Sequence, residues 1–134
     1  MAYSNNDTSK LYRVLRDDEN PETDGLTAKN PQATMSLEEH VERGSWGSGS
    51  QFISCSNNEQ SAINFARNAP FRIAELDRKK IEKDPKIIVY DVSDGTHFEG
   101  EKTNNFARKF GEVCLEGHVP AEYVRSVTPY IRAE

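Results

Sequence analysis

The sequence predicts an α+β domain of short strands, few short helices and long polar loops. Three observations lead there. Short stretches of alternating apolar and polar residues recur along the chain, each bounded by Pro, Gly, Asn, Asp or Ser. Helical spacing is confined to brief segments. The chain has 134 residues, of which 35% are apolar, a length and composition that suit one domain with a modest core.

In chain order, residues 1–9 are polar and read as a flexible N-terminal tail, leaving 10–134 as a single domain. Residues 11–15, Leu-Tyr-Arg-Val-Leu, read as a first strand with Arg13 among its apolar residues. Residues 17–35, rich in Asp, Glu, Pro, Asn and Thr, read as a long solvated loop. Ser36-Leu37-Glu38-Glu39 is a capping box that starts a helix running to about Glu42. Gly44-Ser45-Trp46-Gly47-Ser48-Gly49-Ser50 is a glycine-rich loop, but no Gly-Lys-Ser/Thr follows it, so it is no phosphate loop. Residues 51–56 form a strand, and 58–68 a helix with Ala62, Phe65 and Ala66 on one face, ended by Pro70. Strand 72–76, a helical turn over 77–83 and strand 86–92 follow. Residues 93–105 read as loop, 105–109 as helical, 112–116 as strand, 118–124 as a turn with a short helical segment, and 125–131 as the last strand.

Composition excludes several functions. No apolar run is long enough to cross a membrane. Residues 1–7 lack the basic and apolar regions of a secretory signal, so a cytoplasmic location is expected. A net charge of −5 and a pI near 5.3 disfavour a general nucleic-acid binder. The local cluster Arg67, Arg72, Arg78, Lys79 and Lys80 reads as a solvated helix end. Cys55 and Cys114 are far apart and in no CxxC pair, and His40, His97 and His118 show no ligand spacing, so no metal site is expected. Both thiols read as small, buried and reduced, and His40 as a helix-end or surface residue.

Three polar residues lie in apolar strands: Arg13, Ser54 and Glu112. A charge placed there costs free energy unless it is paired or faces a cleft. Converging, the three suit one task. A guanidinium clamps a phosphate or carboxylate, a carboxylate stabilises the sugar cation formed when a glycosidic bond breaks, and a hydroxyl orients that carboxylate. Each is also open to a plainer reading: Arg13 as a salt-bridge partner of Asp17 or Asp18, Ser54 as a solvent-facing strand serine, Glu112 as a surface carboxylate, Trp46 as a packing lid.

The order and surroundings of these residues resemble the ADP-ribosyltransferase family, in its arginine–serine–glutamate branch and among its small toxin-like members. Leu11-Tyr12-Arg13 is similar to the start of the family's first core strand. Ser50-Gln51-Phe52-Ile53-Ser54-Cys55-Ser56, with Ser61-Ala62-Ile63-Asn64-Phe65-Ala66, is similar to its Ser-Thr-Ser strand and following helix, a cysteine replacing the threonine. Glu112-Val113-Cys114-Leu115-Glu116, ahead of Gly117-His118-Val119-Pro120, resembles the catalytic-glutamate strand and its turn. The resemblance covers residues 11–124. It implies a split β-sheet core and a mono-ADP-ribosyltransferase, a toxin or effector that cleaves NAD at the nicotinamide bond and transfers ADP-ribose to a protein. NAD is then the substrate, and no metal is needed. Glu112, Ser54 and Arg13 would be catalytic, with Arg13 on the phosphate and ribose of NAD and Ser54 positioning Glu112. Tyr12, Phe52 or Trp46 would shape the nicotinamide pocket, and the segment from about Gly100 to Gly111 would be a target-recognition loop. Many arginine-modifying members carry Glu or Gln two residues before the catalytic glutamate; Phe110 stands there in this chain, pointing to another acceptor or to water. NAD glycohydrolysis, and a non-catalytic binding or inhibitor module on the same fold, are the alternatives. A nucleic-acid acceptor is disfavoured by the net charge.

Overall fold

The computed structural model describes residues 8–43 and 49–131. Most of the expected N-terminal tail, and Trp46 with its glycine-rich loop, lie outside the described residues. Six strands form one antiparallel sheet in the order β4-β5-β2-β1-β3-β6. They are β1 (Lys10–Val14), β2 (Phe52–Ser56), β3 (Phe71–Asp77), β4 (Ile88–Asp91), β5 (Glu112–Glu116) and β6 (Val124–Tyr130). Between them run the helices α1 (Pro21–Asp24), α2 (Leu37–Arg43), α3 (Glu59–Ala66), α4 (Arg78–Lys83) and α5 (Glu101–Lys109), and a 3₁₀ turn at Ala121–Tyr123. The architecture is α+β, as the alternating short strands predict.

The sheet is continuous but nearly split. β1 pairs with β3 over five residues, and β2 with β5 over five. β1 and β2, by contrast, are registered through one pair, Tyr12 and Ser56. The sheet opens along the rest of that seam.

Strand periodicity assigns the faces. Ile53, Cys55, Val113 and Leu115 join Leu11, Leu76 and Val119 in the larger core. The intervening residues Phe52 and Cys114 join Val41, Val92 and Ala107 in a smaller core under α2 and α5. Ser54 is registered opposite Cys114, and Ser56 opposite Glu112. All four therefore lie on the smaller-core face, because side chains directly opposite each other share a face.

Local signals explain most helix starts. The Ser36 hydroxyl accepts from the Glu39 amide, while the Glu39 carboxylate pairs with Arg43 rather than reaching back. Asn58 caps α3 by accepting from the Ser61 amide. Two helices depart from expectation. A single turn, α1, sits inside the presumed loop 17–35, with Pro21 at its start where a missing N–H costs nothing. α5 begins at Glu101, well before residue 105, so the supposed recognition loop is a helix. Its polar residues hide it: Thr103 and Asn104 are buried, and Asn104 bonds both the amide and the carbonyl of Phe98.

Gly111 joins α5 to β5 in a left-handed conformation, φ +56°, and a Cβ there would lie 2.2 Å from Asn57 Oδ1. Its carbonyl also accepts from the Asn57 amide. Gly111→Ala is therefore expected to destabilise the fold by about 1–3 kcal/mol and to shift Glu112, the next residue. Urea denaturation of the variant measures the loss, and an unchanged midpoint would remove this role for Gly111.

Candidate active site

The site lies where the sheet opens. Glu112 begins β5, Ser54 is central in β2, and Arg13 reaches the opening from β1. Arg13 (5% exposed) and Glu112 (5%) are buried, and both line a small cleft with Tyr12, Ser54, Ser56 and Phe110. The cleft holds about 20 Å³, room for about one water molecule. The structure thus brings together Arg13, Ser54, Glu112 and Tyr12. Phe52 sits at the edge of this group, its ring packed on His40 and Tyr90 at 5.3 and 5.6 Å, so it supports the site from the smaller core.

The Arg13 guanidinium spans the seam. Nη1 donates to the Ser54 carbonyl at 2.8 Å, while Nε and Nη2 donate to both oxygens of Glu19 at 3.1–3.2 Å. Its partner is neither Asp17 nor Asp18. Glu19 is 7% exposed, so the acidic stretch is not simply a solvated loop. Glu19 also accepts from the Arg16 amide, and Arg72 fixes the same turn by donating to the carbonyls of Arg16 and Glu19. Arg72 is therefore a strut, and Arg78, buried against Glu82 and Asp91, is no solvated helix end either.

His40, expected at a surface, is 4% exposed. Leu37, His40 and Val41 occupy one helical stripe of α2, so the packing that buries the two apolar residues carries the imidazole inward. That i, i+3, i+4 spacing was the signal for it. Nδ1 lies 2.6 Å from Ser50 Oγ and Nε2 lies 2.7 Å from Ser54 Oγ. Burial, and then the Arg13 charge, lower its pKa to about 4, so the ring is neutral near pH 7.

Glu112 shows the opposite shift, up to about 7, because burial outweighs the hydrogen bonds from Cys114 and Ser54 and the charge of Arg13. The Cys114 thiol donates to Oε2 at 3.1 Å. An ionised carboxylate only accepts, so Ser54 must then donate to Glu112. Ser54, having one proton, accepts in turn from His40 Nε2–H, and His40 Nδ1 accepts from Ser50. Ionisation of Glu112 thus selects one tautomer of His40 and aligns the chain Ser50–His40–Ser54–Glu112.

Phe110 is buried and packs against Phe65 and Phe106 at 5.3 and 4.8 Å. Phe110 also lines the cleft beside Glu112, so that wall is aromatic.

This α+β architecture is one that solved structures share, CARDS toxin among them. Among solved structures, the chain is similar to EcPltA, with a TM-score of 0.69 and 16% identity, covering 96% of this chain and 79% of that one. It is also similar to full-length CARDS toxin, with a TM-score of 0.61 and 19% identity over 95% of this chain, and to nicked CARDS toxin, with 0.59 and 20% over 90%. It spans about a quarter of CARDS toxin, 28% and 25% of those two chains. No protein-family model and no curated protein matches the sequence.

Proposed function

We propose that the chain is a mono-ADP-ribosyltransferase that cleaves NAD at the nicotinamide–ribose bond and passes ADP-ribose to a protein acceptor. The observation that carries this reading is Glu112: a carboxylate buried beside a cleft, aligned by Ser54 and flanked by a guanidinium. Such a group is poised to stabilise a positive charge that develops close to it.

The C1′–N bond breaks with its electron pair leaving on nicotinamide, which departs neutral. The ribose becomes an oxocarbenium-like cation facing the Glu112 carboxylate. The acceptor attacks C1′ and loses its proton. Ser54 orients Glu112, His40 orients Ser54, and Arg13 holds the two halves of the sheet at the spacing the site needs. A remaining N–H of Arg13 can also meet a phosphate or ribose oxygen. Tyr12 lines the cleft and can shape the nicotinamide side. NAD is larger than the cleft, so its entry must widen the seam between β1 and β2.

Water as acceptor, giving NAD glycohydrolysis, is the second reading. The aromatic wall at Phe110 favours it, because no carboxylate there can activate a guanidinium acceptor.

The test is nicotinamide release from NAD across a pH series. Only ionised Glu112 can stabilise the cation, so the rate is expected to fall about tenfold per pH unit below about 7 and to level off above it. With NAD labelled in its adenylate half, label on protein means transfer, and free labelled ADP-ribose means hydrolysis. No nicotinamide release from NAD at any pH, with or without a cell lysate as acceptor, overturns both in favour of a binding module.

A further inference from the structure

His40 on α2 and Glu112 and Cys114 on β5 each offer one metal-ligating atom to a single cluster. Those atoms lie within 4.8 Å of one another, and all three residues are buried. We propose that they form a site for a divalent cation of the zinc class, and that the bound ion closes Glu112 to NAD. The cation site stands on these three side chains alone; only the closure rests on the NAD reading.

Several features favour such an ion. The donors are an imidazole nitrogen, a thiol sulfur and a carboxylate oxygen, the set that zinc accepts in tetrahedral sites. Glu112 and Cys114 are two apart on a strand and so share a face, and Sγ and Oε2 are already 3.1 Å apart. Ligand atoms around a four-coordinate zinc ion are roughly 3.5 Å apart, so the widest separation must contract by at most about 1.3 Å. With Nε2, the nitrogen on the Ser54 side, bound to the ion, Nδ1 stays tied to the Ser50 hydroxyl at 2.6 Å, the outer contact that metal-binding histidines need to fix the ring.

Charge also balances. A thiolate and a carboxylate neutralise a 2+ ion, so the occupied site is neutral, as a buried one should be. The adjacent Arg13 is matched by Glu19. On binding, the thiol proton, and any proton on the carboxyl, leaves to solvent.

Ser54 occupies the middle of the group. Its hydroxyl bonds His40 and lies within hydrogen-bonding reach of Glu112 and Cys114. An entering ion must turn that hydroxyl aside or take it as a fourth ligand, and the cleft can supply a water instead. The sequence hides the site because its ligands come from elements that meet only through the packing of α2 on the sheet.

The experiment titrates the intact protein with Co²⁺ and with Zn²⁺, without NAD. Expected are one ion per chain, a cobalt–thiolate charge-transfer band, and a thermal midpoint raised by Zn²⁺ and reversed by a chelator. Cys114→Ser should remove the band and weaken Zn²⁺ binding at least about tenfold. Cys55→Ser should keep both, since Cys55 faces the larger core. If Cys114→Ser does not fold, a band that survives in Cys55→Ser still assigns the thiolate to Cys114, the chain having two cysteines. A wild-type protein without the band, a band lost in folded Cys55→Ser, or unchanged Zn²⁺ affinity in folded Cys114→Ser overturns the proposal. Ion binding by a protein that never releases nicotinamide would uphold the site and sink the NAD reading. NAD cleavage unaffected by saturating Zn²⁺ would overturn the closure.

Discussion

Glu112→Gln is expected to lower nicotinamide release by about two to three decades, the loss typical of one preorganised electrostatic contact, and at the same time to stabilise the fold above pH 7. The two effects share a cause. Burial raises the Glu112 pKa from 4.5 to about 7, so the folded protein holds a proton that the unfolded chain has already released. Stability contributed by this group is complete below pH 4.5 and is lost as pH rises from there to about 7. At one pH unit per about 1.4 kcal/mol, the ionised carboxylate costs the fold about 3 kcal/mol at pH 8. Glutamine never ionises, so its advantage should vanish at pH 4.5 and grow to a few kcal/mol at pH 8. His40 slopes the other way. Its lowered pKa means that stability is lost as pH falls from 6.5 through about 4, and the comparison of the two proteins at equal pH cancels that contribution. Urea denaturation at pH 5 and pH 8, beside the nicotinamide assay, checks both halves. A variant that keeps wild-type turnover removes Glu112 from the chemistry; one less stable than wild type at pH 8 removes the account of its burial.

The same physics explains what the sequence could and could not reveal. Strands were legible because alternation is a local property, and it placed Ser54, Cys114 and Glu112 on one face once register paired β2 with β5. Arg13 and Glu112 announced themselves as charges that apolar strands would not hold without a reason. Their partners were silent. Glu19 belongs to a stretch whose composition says solvent, and its burial depends on Arg72 fixing the turn from another strand. The inward turn of His40 is hidden because a single polar residue on a short helix carries no sign of which way it faces unless its stripe with Leu37 and Val41 is counted. The start of α5 is hidden because Thr103 and Asn104, two of its three buried residues, are polar, and Asn104 is satisfied by the loop at Phe98, a tertiary arrangement that overrides periodicity. Cys114 reads as an inert small residue along the strand and becomes a donor to Glu112 only in three dimensions.

Arg13→Met should cost about 3–5 kcal/mol, the usual price of leaving one partner of a buried ion pair uncompensated. With Arg13 gone, Glu19 would keep only Arg16, whose side chain approaches to 3.7 Å and is itself partly exposed, and the Ser54 carbonyl would lose its donor across the seam. Small domains hold only about 5–15 kcal/mol of stability in total, so the variant should unfold at a much lower urea concentration. Arg13→Lys should fare little better, because one ammonium cannot present the fork that reaches a carboxylate and the Ser54 carbonyl together. Replacing both charges, Arg13→Met with Glu19→Leu, should recover much of the loss. The remainder, about 1 kcal/mol, reflects the Arg16 amide left without its acceptor. This double variant separates two roles for Arg13. If the guanidinium only staples the sheet, the refolded double variant releases nicotinamide at a rate near wild type. If it also holds NAD, turnover stays low in a protein whose fold has been restored. A single variant that loses less than about 1 kcal/mol would mean that the seam between β1 and β2 holds without this pair.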